Sequence, residues 1–170
     1  MLDFDKVSLR RGSKQLFGEM SLSVHNGDRI GITGANGCGK SSLFGLIQGK
    51  LEEDSGSFRM DKNIAIAQVE QETPALTTPA IQYVMQGDTE LTRLQGLLTA
   101  AEERSDGLKV AELHEQLAAI DAYSAHARAA RLMHGLGFKV GTEDRAVADF
   151  SGGWRMRVAL AAVLFAEPDL

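Results

Sequence analysis

One short turn constrains this chain more than any other feature. Gly34-Ala35-Asn36-Gly37-Cys38-Gly39-Lys40-Ser41 fits G-x-x-x-x-G-K-[ST] and lies between "RIGIT", which reads as a strand, and "SLFGLI", which reads as a helix. Glycines let backbone N–H groups converge on phosphate oxygens with no Cβ in the way. The N-terminus of the following helix adds the positive end of its dipole. Gly34 through Ser42 is therefore the candidate phosphate cradle. Lys40 is placed to neutralise the β- and γ-phosphates of a nucleotide, and Ser41 to offer its hydroxyl to Mg²⁺. Cys38 is the single cysteine and occupies an x position of the turn. With no histidine near it in sequence, it reads as a small filler of the cradle rather than a nucleophile.

Around that turn the chain sorts into three regions, expected as residues 1–72, 73–149 and 150–170. The first is a β-rich core: "LDFDKVSL", "MSLSVHNG", "RIGITG", "GSFRM" and "NIAIAQVE" all carry strand patterns, and one helix runs from the glycine-rich turn to near Gly49. In the second, Leu91, Leu94 and Leu98, then Val110, Leu113, Leu117 and Ile120, recur at helical spacing with charges between them. Breaks at "ERSDG", "HGLG" and "VGTED" predict three or four short helices. The third is one helix from Ser151-Gly152-Gly153 to Phe165, stopped by Pro168.

Composition limits the partners. With 18 Lys and Arg against 23 Asp and Glu the net charge is −5, so a nucleic acid would be met only through local positives such as Arg10, Arg11 and Lys14, or through the helical stretch from Asp88 to Ala122. The longest apolar run, Val158 to Ala166, is far shorter than the roughly 18–20 residues that span a bilayer. A lone cysteine and a start unlike a signal peptide predict a cytoplasmic protein. His25, His114, His126 and His134 show no ligand or triad spacing and read as surface or packed side chains.

"FSGGWRMRVALA" gives the phosphate turn its context. Ser151-Gly152-Gly153 opening a helix resembles the signature motif of ATP-binding-cassette (ABC) ATPases, and Gln71 in "VEQET" stands where that superfamily has its Q-loop glutamine. A serine hydroxyl, two glycine N–H groups and a helix N-terminus make a second anion cradle. The tryptophan after the two glycines, "VEQETPAL" and "SLRRGSKQLF" resemble the N-terminal cassette of the ABC-F family over essentially the whole chain. The fold this implies is α/β, a P-loop NTPase core with antiparallel strands and an α-helical subdomain. The resemblance also implies ATP and Mg²⁺ as ligands, with Gln71 joining Ser41 at the metal and Lys40 in catalysis. It further implies a second cassette on the same polypeptide, no membrane domain, and action at the ribosomal exit site for tRNA. In such cassettes the signature covers the nucleotide held by the opposite cassette.

The sequence also departs from the family. Where most cassettes have an aromatic residue to stack on adenine, "LRRG" offers Arg11, whose guanidinium plane can stack on a base; Phe17 is the alternative face, and a merely solvated Arg10-Arg11 pair is the third. The family continues from the signature helix through an apolar strand into an Asp-Glu pair, so the chain to Leu170 reads as a first-cassette piece ending before that strand, not expected to hydrolyse ATP by itself. Two other functions share the phosphate turn: the nucleotide-binding subunit of a membrane transporter, and a non-hydrolysing nucleotide-binding module.

Overall fold

Leu2, Phe4, Val7 and Leu9 are the apolar residues of the first strand, and strict alternation would put Leu2 and Phe4 on one face and Val7 and Leu9 on the other. All four are buried. The computed structural model, which describes residues 1–62, 64–70 and 74–170, shows how. In β1 (Leu2–Arg11) a bulge between Phe4 and Val7 inserts an extra residue, with Lys6 at φ 50°, and this returns Val7 and Leu9 to the core face. A second bulge falls on β2 (Lys14–Val24), with Glu19 at φ 49°, and the Ser8 hydroxyl accepts its N–H at 3.0 Å. With β3 (Ser55–Met60) the strands form an antiparallel sheet in the order β2-β1-β3.

The chain divides into two compact units, Met1–Ile66 and Ala67–Leu170. In the first, α1 (Lys40–Ile47) lays Leu43 and Leu46 on Leu2, Phe4 and Val7, with the Phe4 and Phe58 rings stacked at 4.6 Å. Each leucine so buried contributes about 1.5–3 kcal/mol. This contact holds the α1 N-terminus, and so the phosphate turn, against the sheet.

Two expected strands are not formed. Residues 28–35 and 64–70 have irregular backbone, and Ile30 and Ile32 remain 48% and 36% exposed. A strand exists only as a hydrogen-bonded ladder, and the described sheet gives "RIGITG" no neighbour, so its β-branched residues have nothing to pair with.

The second unit is helical: α2 (Ala80–Met85), α3 (Thr89–Glu103), α4 (Gly107–Ala119), α5 (Ala125–Gly135) and α6 (Gly152–Phe165), with short 3-10 turns at Ala122–Ser124 and Val147–Asp149. Asp88 and Asp106 start α3 and α4 by accepting the N–H of Leu91 (2.9 Å) and Lys109 (3.1 Å). Leu91, Leu94, Leu113 and Leu117 enter one core with Met133, Val158 and Phe165. Leu98, Val110 and Ile120 pack on its margin. The expected break "ERSDG" spans the junction of α3 and α4, "HGLG" covers the end of α5, and "VGTED" falls between elements. The stretch before α6 is pinned to the start of the unit, since Val147 and Ala148 donate to the carbonyls of Thr78 (3.0 Å) and Leu76 (2.8 Å).

Candidate functional site

The phosphate turn owes its shape to residues that tolerate no side chain. A Cβ on Gly34 would lie 2.7 Å from Cys38 Sγ, and one on Gly39, at φ 111°, would lie 3.1 Å from Leu16 Cβ and 3.4 Å from the Phe17 ring. Gly39 is the N-cap of α1 and brings no side chain to its first N–H groups, which leaves them to an external anion. Cys38 N–H donates to the Ala35 carbonyl at 3.3 Å and Leu43 N–H to that of Gly39 at 2.9 Å, closing the turn onto the helix.

Two ammonium groups meet at this turn. Lys40 Nζ donates to the carbonyls of Gly34 (2.7 Å) and Ala35 (3.0 Å). Lys14 Nζ donates to the carbonyl of Gly37 at 2.8 Å. Ser41 is exposed on the first turn of α1, with its hydroxyl free to meet a cation that rides on a phosphate, whereas Ser42 is buried at 6% exposure. Asn36 and Cys38 are exposed, and Cys38 Sγ lies 4.0 Å from Lys40 Nζ. Backbone donors, a helix N-terminus and two cations in a turn that Cβ atoms would fill are the donor set of a polyphosphate, and the fit to the phosphates of ATP is good.

Of the adenine candidates, Phe17 is half-buried, its ring against Gly39 and the sheet core. Arg11 is exposed at the end of β1, paired across the hairpin with Lys14. Gln71 lies outside the described residues. The four histidines are exposed; His114 shares a 3.0 Å hydrogen bond with Tyr123, and His134 lies 3.8 Å from Glu143.

The second glycine-rich turn belongs to the helical unit. Ser151 is the N-cap of α6 with no side-chain capping bond, so its hydroxyl is not used to close its own helix. Nothing lies within 4 Å of a Cβ built on Gly152 or Gly153. Behind this open turn stands an aromatic support that sequence reasoning missed. The Phe138 ring packs edge-on to Phe150 at 5.6 Å and to Trp154 at 4.9 Å. Arg157 lies 4.5 Å over the Trp154 ring and donates to the Leu136 carbonyl at 3.2 Å. Only the aromatic character of Phe138 and the i, i+3 spacing of Trp154 and Arg157 signalled it.

The sequence model described as "ABC transporter" matches residues 17–170, and the chain belongs to this family of ATP-binding cassettes. Its relatives include members of the ABC-F branch. The probable ATP-binding protein YheS of Escherichia coli (strain K12) is 44% identical over 170 residues, which is 100% of this chain and 27% of the relative. YheS of Haemophilus influenzae is 45% identical with the same coverage. ATP-binding cassette sub-family F member 2 of Bos taurus is 39% identical over 163 residues, 95% of this chain and 25% of the relative. The chain thus spans about a quarter of the length of these relatives. Among solved structures, an inward-facing putative metal-chelate type ABC transporter superposes with a TM-score of 0.64 at 19% identity, covering 98% of this chain and 56% of that one. CbiO1 of Clostridium perfringens gives 0.64 at 21% identity, covering 98% and 62%. These two likenesses concern the fold: an ABC cassette with an antiparallel sheet and helices, as the resemblance implied.

Proposed function

We propose that this chain is the nucleotide-binding part of an ABC-F cassette that binds MgATP at Gly34–Ser42 and, in the complete protein, hydrolyses it to drive or regulate a step of translation on the ribosome. The observation that carries the reading is the whole-chain identity of 44–45% to YheS proteins, joined to a sub-family F likeness at 39%. Lys40 and the loop N–H groups hold the phosphates, while Ser41 and Gln71 attend Mg²⁺, which supplies charge neutralisation when bound. Arg11, exposed beside the loop's Lys14, is assigned to the base; Phe17 spends its ring on packing.

Ser151, Gly152 and Gly153 are assigned to the nucleotide of a second cassette on the same polypeptide, with the Phe138-Trp154-Arg157 column setting the pitch of their turn. The hydrolytic carboxylate is expected beyond Leu170. Exposed Arg10 is a candidate contact to ribosomal RNA, and the cytoplasm is the compartment this requires. Among the described residues no helix is long and apolar enough to cross a membrane.

The test is sedimentation of the complete protein with its hydrolytic glutamate changed to glutamine, which should hold the ATP-closed state. Co-sedimentation with ribosomes in MgATP, lost when ATP is omitted, is the expected result. Recovery with a membrane fraction instead would favour the transporter-subunit reading.

A further inference from the structure

Lys14 is the surplus element of the phosphate turn: the G-x-x-x-x-G-K-[ST] pattern requires one lysine, and the structure brings two. Lys14 opens β2 directly after the Gly12 turn (φ 60°), where it is the cross-strand partner of Arg11. From there its ammonium reaches the Gly37 carbonyl, 2.8 Å away, and lies 3.8 Å from where a Gly37 Cβ would stand. Lys40 holds the Gly34 and Ala35 carbonyls of the same turn. Among the described residues neither lysine has a carboxylate within ion-pair distance.

We propose that Lys14 is a second phosphate-binding cation of this site, a residue that sets affinity for the polyphosphate of the nucleotide. This rests on the reading of Gly34–Ser42 as the nucleotide cradle. Two like charges drawn to one short loop repel each other, and neutral carbonyl oxygens compensate them poorly. Charged phosphate oxygens make hydrogen bonds roughly twice as strong as neutral ones, so an arriving polyphosphate draws the ammonium off the carbonyl at a net gain. Lys14 is exposed, which keeps the desolvation cost of that exchange small. Its flexible stem gives the few ångströms of travel that the exchange needs.

The experiment is MgATP titration of the complete protein carrying Lys14→Met, at low and at high salt, beside Lys14→Arg and Lys40→Ala. Lys14→Met should weaken MgATP about 5- to 10-fold, as loss of one exposed charge-assisted contact does, with a shallower salt dependence than wild type. Lys14→Arg should recover most of that loss. Unchanged affinity in Lys14→Met overturns the proposal, and so does a loss equal at all salt concentrations, which would mean a brace acting only through Gly37. If Lys40→Ala weakens binding while Lys14→Met does not, the Lys14 assignment alone falls. If neither variant weakens it, the cradle reading falls with it. Should Lys14→Met shift the thermal transition, Lys14→Gln serves as the neutral replacement under the same criteria.

Discussion

Arginine in place of Ser151 is expected to leave MgATP binding by the isolated complete cassette within about twofold of wild type, a change well under 1 kcal/mol. The same substitution should abolish ATP hydrolysis by the complete protein. The first outcome follows from the assignment of the cassette's own phosphate contacts to Gly37, Gly39, Lys40 and Ser41. The second follows from the assignment of Ser151 to a nucleotide held by the opposite cassette, where a bulky cation would replace a hydroxyl and fill the cradle. The surroundings of Ser151 separate either result from misfolding. Ser151 is exposed at an N-cap that makes no side-chain bond, the two glycines after it have open space around them, and α6 is held through its Trp154 against Phe138 and through its Arg157 to the Leu136 carbonyl. Affinity of the isolated cassette and ATPase rate of the whole protein are measured as a pair. A large loss of affinity in the isolated cassette would mean that the signature acts on its own nucleotide, and the two-cassette arrangement would be given up.

Lys40→Ala carries the other large effect. A charge-assisted hydrogen bond contributes about 1.5–3 kcal/mol, so removing the ammonium should weaken MgATP binding roughly 10- to 100-fold. The lysine also donates to the carbonyls of Gly34 and Ala35, so alanine loosens the turn that must hold the phosphates. Both effects have the same sign. Lys40 is only half-buried at the start of α1, while the leucines that anchor this helix, Leu43 and Leu46, are untouched, so thermal stability should change little. Titration calorimetry on the complete chain reads the affinity. Equal affinity in the variant would place the phosphates elsewhere.

What the sequence made legible was whatever short-range chemistry determines. The α1 start could be read because Gly39 and Lys40 belong to a fixed-spacing motif, and the separation of α3 from α4 because "ERSDG" carries turn residues. What depended on partners distant in sequence was not legible. "RIGITG" has strand composition, yet its conformation rests on a neighbour that the described sheet does not provide. Lys14 could be read as a surface positive but not as a companion of Gly37, because its position depends on a hairpin whose register shifts three times. Trp154 entered only as part of a family string. Its contact with Phe138 joins the ends of two helices, and no periodicity within one helix records such a contact.

The central claim is that Gly34–Ser42 encloses the phosphates of the bound nucleotide, and Cys38 is a reporter placed inside that segment. Its thiol is exposed and lies 4.0 Å from Lys40 Nζ, so a maleimide reaches it only while the turn is open to solvent. The measurement is the alkylation rate of Cys38 in the complete protein, followed on its own peptide by mass spectrometry, with and without MgATP. At MgATP ten times its dissociation constant only about one turn in eleven is free, so the rate should fall about tenfold, and Lys40→Ala should lose that protection at the same concentration. An alkylation rate unchanged by saturating MgATP would contradict the account.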